Sequence, residues 1–236
     1  MNSKNSRLLS GMSIGLRSIK LLTAVAGLGL SLTLASYASI NIVSYSFGGL
    51  PPSVTPTTVY PNVTATSVSL GSGVTAFLGV TNQFFLSPVN GDSTVTLAKS
   101  LNAYLQFTVT PGAGFSLNLL ALCFNADYGW SSARFAVASS LDGFTGVIDD
   151  EAVALQQPTS SLYTINLSGA TYQNLTAPIT FRIYDYNPAT SGGVGPDVGF
   201  NNLLLKGTVS AVPEPTTLAI LGVGGLALLG LRRRQA

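Results

Sequence analysis

The clearest alternation in the chain runs from Leu101 to Thr110, where Ala103, Leu105, Phe107 and Val109 are separated by Asn102, Gln106, Thr108 and Thr110, with Tyr104 as the exception. A two-residue period sends one set of side chains to each face of an extended backbone, so this segment predicts a half-buried strand. Pro111-Gly112-Ala113-Gly114 predicts a turn. Phe115 to Asn125 follows as a longer, more apolar strand, and the two are expected to pair as an antiparallel hairpin. In an extended segment Phe115, Leu117, Leu119, Ala121 and Cys123 would share one face. Further strands are expected at Ile40 to Phe47, Val74 to Val80, Arg134 to Ser139, Leu162 to Leu167, Ile179 to Tyr186 and Val198 to Thr208. Segments rich in Gly, Pro, Asn and Ser separate them. With many short strands, no helical period of useful length and no βαβ alternation, the middle of the chain predicts an all-β fold, an antiparallel β-sandwich of jelly-roll type. It spans residues 39–211, enough to build its own core.

Two blocks break this pattern. Leu21 to Ala35 and Thr217 to Leu231 are almost free of polar side chains. The first follows Lys4, Arg7, Arg17 and Lys20 and precedes Ser36-Tyr37-Ala38, which offers small residues at the −3 and −1 positions of a cleavage site. Residues 1–38 therefore predict a signal peptide for the Sec export machinery, with a retained anchor as the alternative. The second block lies between Val212-Pro213-Glu214-Pro215 and Arg232-Arg233-Arg234. As a helix from Thr216 it would span ~24 Å of a hydrocarbon core about 30 Å thick. The three arginines can snorkel to the headgroups and make up part of the difference. Residues 212–236 thus predict a single transmembrane helix with an Arg-rich tail. Positive charge on the outer flank of both blocks puts both termini in the cytoplasm and residues 39–211 outside. Glu214, between two prolines, sits in an extended, exposed step next to the membrane.

The order Pro213-Glu214-Pro215, Gly-rich apolar segment, Arg232-Arg233-Arg234 at the extreme C-terminus resembles the PEP-CTERM sorting signal. That resemblance implies recognition by exosortase, a membrane-embedded, cysteine protease-like transpeptidase, with cleavage near the motif. The implied route passes through an inner-membrane intermediate to the cell surface or exopolysaccharide matrix of a Gram-negative bacterium. More loosely, Tyr104 to Val209 resembles a region common in bacterial PEP-CTERM proteins. Its landmarks are Phe107-Thr108-Val109-Thr110-Pro111, Ser139-Ser140-Leu141-Asp142-Gly143-Phe144, Phe181-Arg182-Ile183-Tyr184 and Asn201-Asn202. This resemblance implies a lectin-like sandwich of unproven ligand. Asn201 stands where relatives carry Asp, which weakens a metal or sugar role there and fits a turn cap before the final strand.

Composition narrows the chemistry. Of eleven basic residues, seven flank the apolar blocks; residues 39–211 hold four (Lys99, Arg134, Arg182, Lys206) against eight acids, a net charge of −4. Nucleic-acid binding is excluded on that balance. Cys123 is the single cysteine, so no intramolecular disulfide forms, and it reads as a buried structural thiol. The chain has no histidine, which excludes Ser-His-Asp and Cys-His machinery and His-ligated metal centres. Two carboxylates alone run glycoside hydrolysis, so an exported carboxylate-dependent glycosidase using Asp149, Asp150, Glu151 or Asp185 is the alternative to a non-catalytic surface or matrix protein. The three consecutive acids read as a solvated loop. Oxygen ligands suit calcium, for which Asp142, Asp185, Asp197 and Asn201 are the candidate positions. Tyr128, Trp130, Tyr184 and Tyr186 are candidates to stack on a sugar ring, and the exopolysaccharide is the candidate ligand.

Overall fold

The computed structural model describes residues 39–77, 83–88, 93–128, 133–153, 160–188 and 198–213. The signal segment, the transmembrane helix, Glu214, Pro215, the three arginines, Asp197 and Trp130 lie outside the described residues. Among the described residues no helix is long and apolar enough to cross a membrane.

The described residues form thirteen strands and one short α-helix, in the order β1 (Ile40–Tyr45), β2 (Thr58–Val59), β3 (Val63–Ala65), β4 (Ser69–Leu70), β5 (Val74–Phe77), β6 (Phe84–Pro88), α1 (Val95–Leu101), β7 (Tyr104–Pro111), β8 (Phe115–Tyr128), β9 (Arg134–Ser139), β10 (Asp149–Ala152), β11 (Ser161–Asn166), β12 (Ile179–Tyr186) and β13 (Val198–Ala211). They form two antiparallel sheets. The first runs β11-β8-β13-β1-β2, with β6 also on β13 and β5 on β6; the second runs β10-β9-β12-β7-β3, with β4 also on β7. Aromatic side chains join the inner faces: Tyr45 meets Phe107 with ring centroids 5.5 Å apart, and Phe124 meets Phe135 at 5.0 Å. This is a sandwich, as the alternation predicts.

The expected hairpin is not formed. β7 and β8 belong to different sheets, because the 112–114 turn carries the chain from one layer to the other. β7 pairs with β12, while β8 pairs with β13 and β11. A local turn signal says that the chain reverses and does not say in which layer it continues.

The strand expected from Leu101 starts at Tyr104, because Thr94 and Asn102 cap a helix in front of it. The Thr94 hydroxyl accepts the Leu97 N–H, and Asn102, at φ +57°, donates its N–H to the carbonyls of Ala98 and Lys99.

Strand β8 does not keep one face. Leu117 and Leu119 point into the core, as do Leu122, Phe124 and Ala126. The parity changes at Leu120, which has no partner where Lys206 faces Ala121 and Gly207 faces Leu119. Such a bulge flips every later side chain. Cys123 therefore lies on the opposite face from Leu117, yet it is buried. Gly207 permits the close approach: a Cβ there would sit 2.2 Å from the Asn118 carbonyl oxygen. The expected turn at Asn201-Asn202 is a second bulge inside β13, with Asn202 at φ +51°. Asn tolerates that conformation better than most residues. Native protein should leave Cys123 unmodified by a soluble thiol reagent, react stoichiometrically once unfolded, and melt at the same temperature with and without dithiothreitol.

Candidate functional site

On the outer side of the second sheet the Arg182 guanidinium lies between two rings, 4.1 Å from the Tyr104 centroid and 3.9 Å from that of Phe144, while its Nε donates to Gln106 Oε1 at 3.0 Å. Phe144 reaches it from the loop after β9. Asp142 shapes that loop: its carboxylate accepts the Gly146 N–H at 2.8 Å and its carbonyl accepts the Thr145 hydroxyl at 2.9 Å. Lys99 of α1 clamps the same loop by donating to the carbonyls of Thr145 and Gly146. The second and third landmarks of the sequence thus meet in space as a packing clamp. A cation held flat between rings and bonded to an amide is immobilised rather than presented to a ligand.

At the far end of the same sheet Arg134 pairs with Asp150 at 2.9 Å and donates through Nε to the Tyr186 hydroxyl at 2.8 Å; the Tyr186 hydroxyl in turn donates to Asp150. Burial, then the Asp150 contact, pushes the Tyr186 phenol above its ordinary value, so it stays a donor. Tyr184 and Tyr186 are 2% and 5% exposed, which removes both from the sugar-stacking candidates. Tyr184 is covered by Tyr104 and Lys99.

The three acids form an edge strand rather than a loop, β10 paired to β9. Asp149 and Glu151 point to one side of it. Burial, then the negative charge of the neighbouring Asp149, raises the Glu151 carboxyl. Glycosidase carboxylates stand about 5 to 9.5 Å apart across a scissile bond. Asp149 and Glu151 lie on an edge strand that is exposed from Asp150 to Ala152, and Asp150 is committed to Arg134.

The three described calcium candidates do not converge. Asp142 belongs to the loop over the second sheet, Asp185 is fully buried on β12, and Asn201 lies on the outer face of the first sheet, where its amide reaches the Ser160 hydroxyl. Among the described residues no three Cys, Asp or Glu side chains group as metal ligands.

Asp127 is a further polar group, outside the candidate positions named from the sequence. It is 7% exposed on β8; Gln83 donates to its Oδ2 at 2.7 Å, while Oδ1 has no hydrogen-bond partner among the described residues. Gly199 faces it across the ladder, with the Phe85 ring over the glycine. Burial raises the Asp127 carboxyl and the Gln83 bond partly offsets this. Because the folded state then holds the proton more tightly, stability should fall as pH rises from the ordinary carboxylate range through the raised folded value, and stay flat above it. Asp127→Asn keeps an acceptor for Gln83 and carries no charge. It should melt a few degrees higher at neutral pH, the scale of about 1 kcal/mol in a domain of this size, and lose that slope; thermal melts from acid to neutral pH check both.

The last strand ends at Ala211, and the Val212 N–H is still held by the Gly114 carbonyl at 2.8 Å. Pro213 follows, exposed. The chain is thus a two-sheet antiparallel domain that runs without a linker into its C-terminal tail. That tail, residues 211–234, matches the PEP-CTERM protein-sorting motif, so the chain carries this motif. No curated protein matches the chain. Among solved structures it is similar to a family 29 carbohydrate-binding module, at 13% identity and a TM-score of 0.34, over 72% of this chain and 90% of that one. It is also similar to the CBM22-1 xylan-binding domain from Paenibacillus barcinonensis (13%, TM-score 0.33, 76% and 99%) and to a family two carbohydrate esterase from Cellvibrio japonicus (8%, TM-score 0.30, 75% and 36%). At these scores the likenesses carry no argument about fold or function.

Proposed function

We propose that this chain is an exosortase substrate, exported by the Sec machinery, held for a time in the inner membrane by its tail, and delivered to the cell surface or exopolysaccharide matrix. The observation that carries this reading is the PEP-CTERM motif beginning on the last residue of the sheet. The exported sandwich acts as a non-catalytic module. Its acids support that reading: Asp142 and Asp150 hold structure, and Asp185 is fully buried. None of them is left poised across a cleft, so the glycosidase alternative loses its best residues.

A glycan is the ligand class we propose for the module. The outer face of the first sheet carries Asn125 and Asn201, both reaching Ser160, beside the Gln83–Asp127 pair. Neighbouring side-chain amides match the paired hydroxyls of a sugar, each offering both a donor and an acceptor. The test is a pull-down of the purified domain with the producer's own exopolysaccharide, with and without calcium. Binding lost in Asn125→Ala or Asn201→Ala supports the assignment. No retention under either condition leaves an inert structural module, and calcium-dependent retention would restore the metal.

A further inference from the structure

Strand β1 begins and strand β13 ends at the same end of the sandwich, since Ile40 faces Gly207 in an antiparallel pair. Both chain exits are therefore on one side, as the sequence-read topology with two cytoplasmic termini requires. The same end carries the 112–114 turn, bonded to Asn62, and the 168–178 connection that follows β11. Neither connection contains a charged residue. The loop after β9 brings Asp142, folded onto Gly146, and is held by the Lys99 ammonium at the Thr145 and Gly146 carbonyls and by Arg182 under the Phe144 ring, while Lys206 adjoins Gly207. Tyr60, Leu141 and Val212 are each 40% exposed here. The opposite end holds Asp127, Arg134, Asp150, Glu151 and Asp185, each close to the terminus of its strand.

The tail sets the distance. Four residues separate Pro213 from Leu218, where the apolar segment is under way. Fully extended they reach at most about 18 Å, and the headgroup layer on one side of a bilayer takes up roughly 5 to 7 Å of that. The end with the two charge-free connections cannot move far from the lipid surface. A surface of Tyr, amides and small residues with cations beside it suits the interface, where the far end, with four acids to one arginine, would be repelled by anionic headgroups.

We propose that, while the tail holds the chain in the membrane, the sandwich stands end-on. The 112–114 turn rests against the phospholipid headgroups, and the charged end and the amide-bearing face are directed away. This rests on the reading of the tail as a membrane segment. The test uses the full-length chain in vesicles of phosphatidylethanolamine and phosphatidylglycerol that carry a headgroup-attached quencher. A fluorophore is placed on Ala113→Cys or on Leu162→Cys, both exposed, with Cys123 buried and unlabelled. Leu162 faces Asn125, ten residues along β8 from Phe115, or ~33 Å. In the fraction that floats with vesicles, the Ala113→Cys label should be quenched several-fold more than the Leu162→Cys label. Thr171→Cys, on the other exposed loop of that end, should follow Ala113→Cys and guards against a misfolded variant. Equal quenching in floating protein, or the reverse order, overturns the orientation alone. Failure to float overturns the membrane reading of the tail, and the orientation with it.

Discussion

Glu214→Ala, or Pro213 and Pro215 replaced together, should leave the full-length chain in the membrane with processing abolished. On the proposed reading the apolar segment from Thr217 to Leu231 supplies the insertion energy, and none of the three substituted residues belongs to it. From the sequence, two prolines around Glu214 predict an extended step that does not enter a helix. The fold sharpens this expectation. Val212 is pinned by its N–H to Gly114 and Pro213 is exposed immediately beyond, so the processing enzyme meets the motif against a folded domain with no slack to substitute for the lost prolines. Neutral residues at Arg232, Arg233 and Arg234 should act differently, disturbing orientation and retention. Fractionation followed by mass measurement of the C-terminus separates the outcomes. A processed Glu214→Ala protein would show that the motif is not the recognition element.

The second large effect is expected at Phe124. Its ring touches Phe135 of the opposite sheet, Tyr163 of β11 and Phe200 of β13, with centroids 5.0, 6.0 and 5.5 Å away, and it is fully buried. Phe124→Ala removes the contact that ties three strands across the sandwich. A loss of about 3 to 5 kcal/mol is a large part of the 5 to 15 kcal/mol that holds a typical domain. Urea unfolding of the purified domain should show it directly. Leu162→Ala, on the same sheet but 66% exposed, should change little.

The strands that alternate and are bracketed by turn residues were legible in the sequence: β9 and β12 have the same limits in both readings. What local pattern cannot carry is partnership. Nothing in Pro111-Gly112-Ala113-Gly114 says that the next strand joins the other sheet. β2, β4 and β10 are too short or too polar to register as strands, and pairing alone makes them so. The face of Cys123 depends on a bulge at Leu120, which is defined by its partner strand. The same holds for the site. Asp142, Phe144, Arg182 and Tyr104 look like scattered polar and aromatic positions until the sheet stacks them. Asp127 gave no signal in the sequence because its environment comes from β6 and β13. The tail, by contrast, is read from contiguous residues, and the family match over residues 211–234 covers what the sequence marks out.

The proposed function stands or falls on whether this tail is a sorting signal or a simple anchor. The most direct measurement is the intact mass and location of the protein expressed in an exosortase-containing host and in its exosortase-deleted counterpart. A shortened species, lacking the apolar segment and arginines and recovered from the surface or matrix, is expected in the first host only. The same full-length, membrane-bound species with an intact C-terminus in both hosts would contradict it.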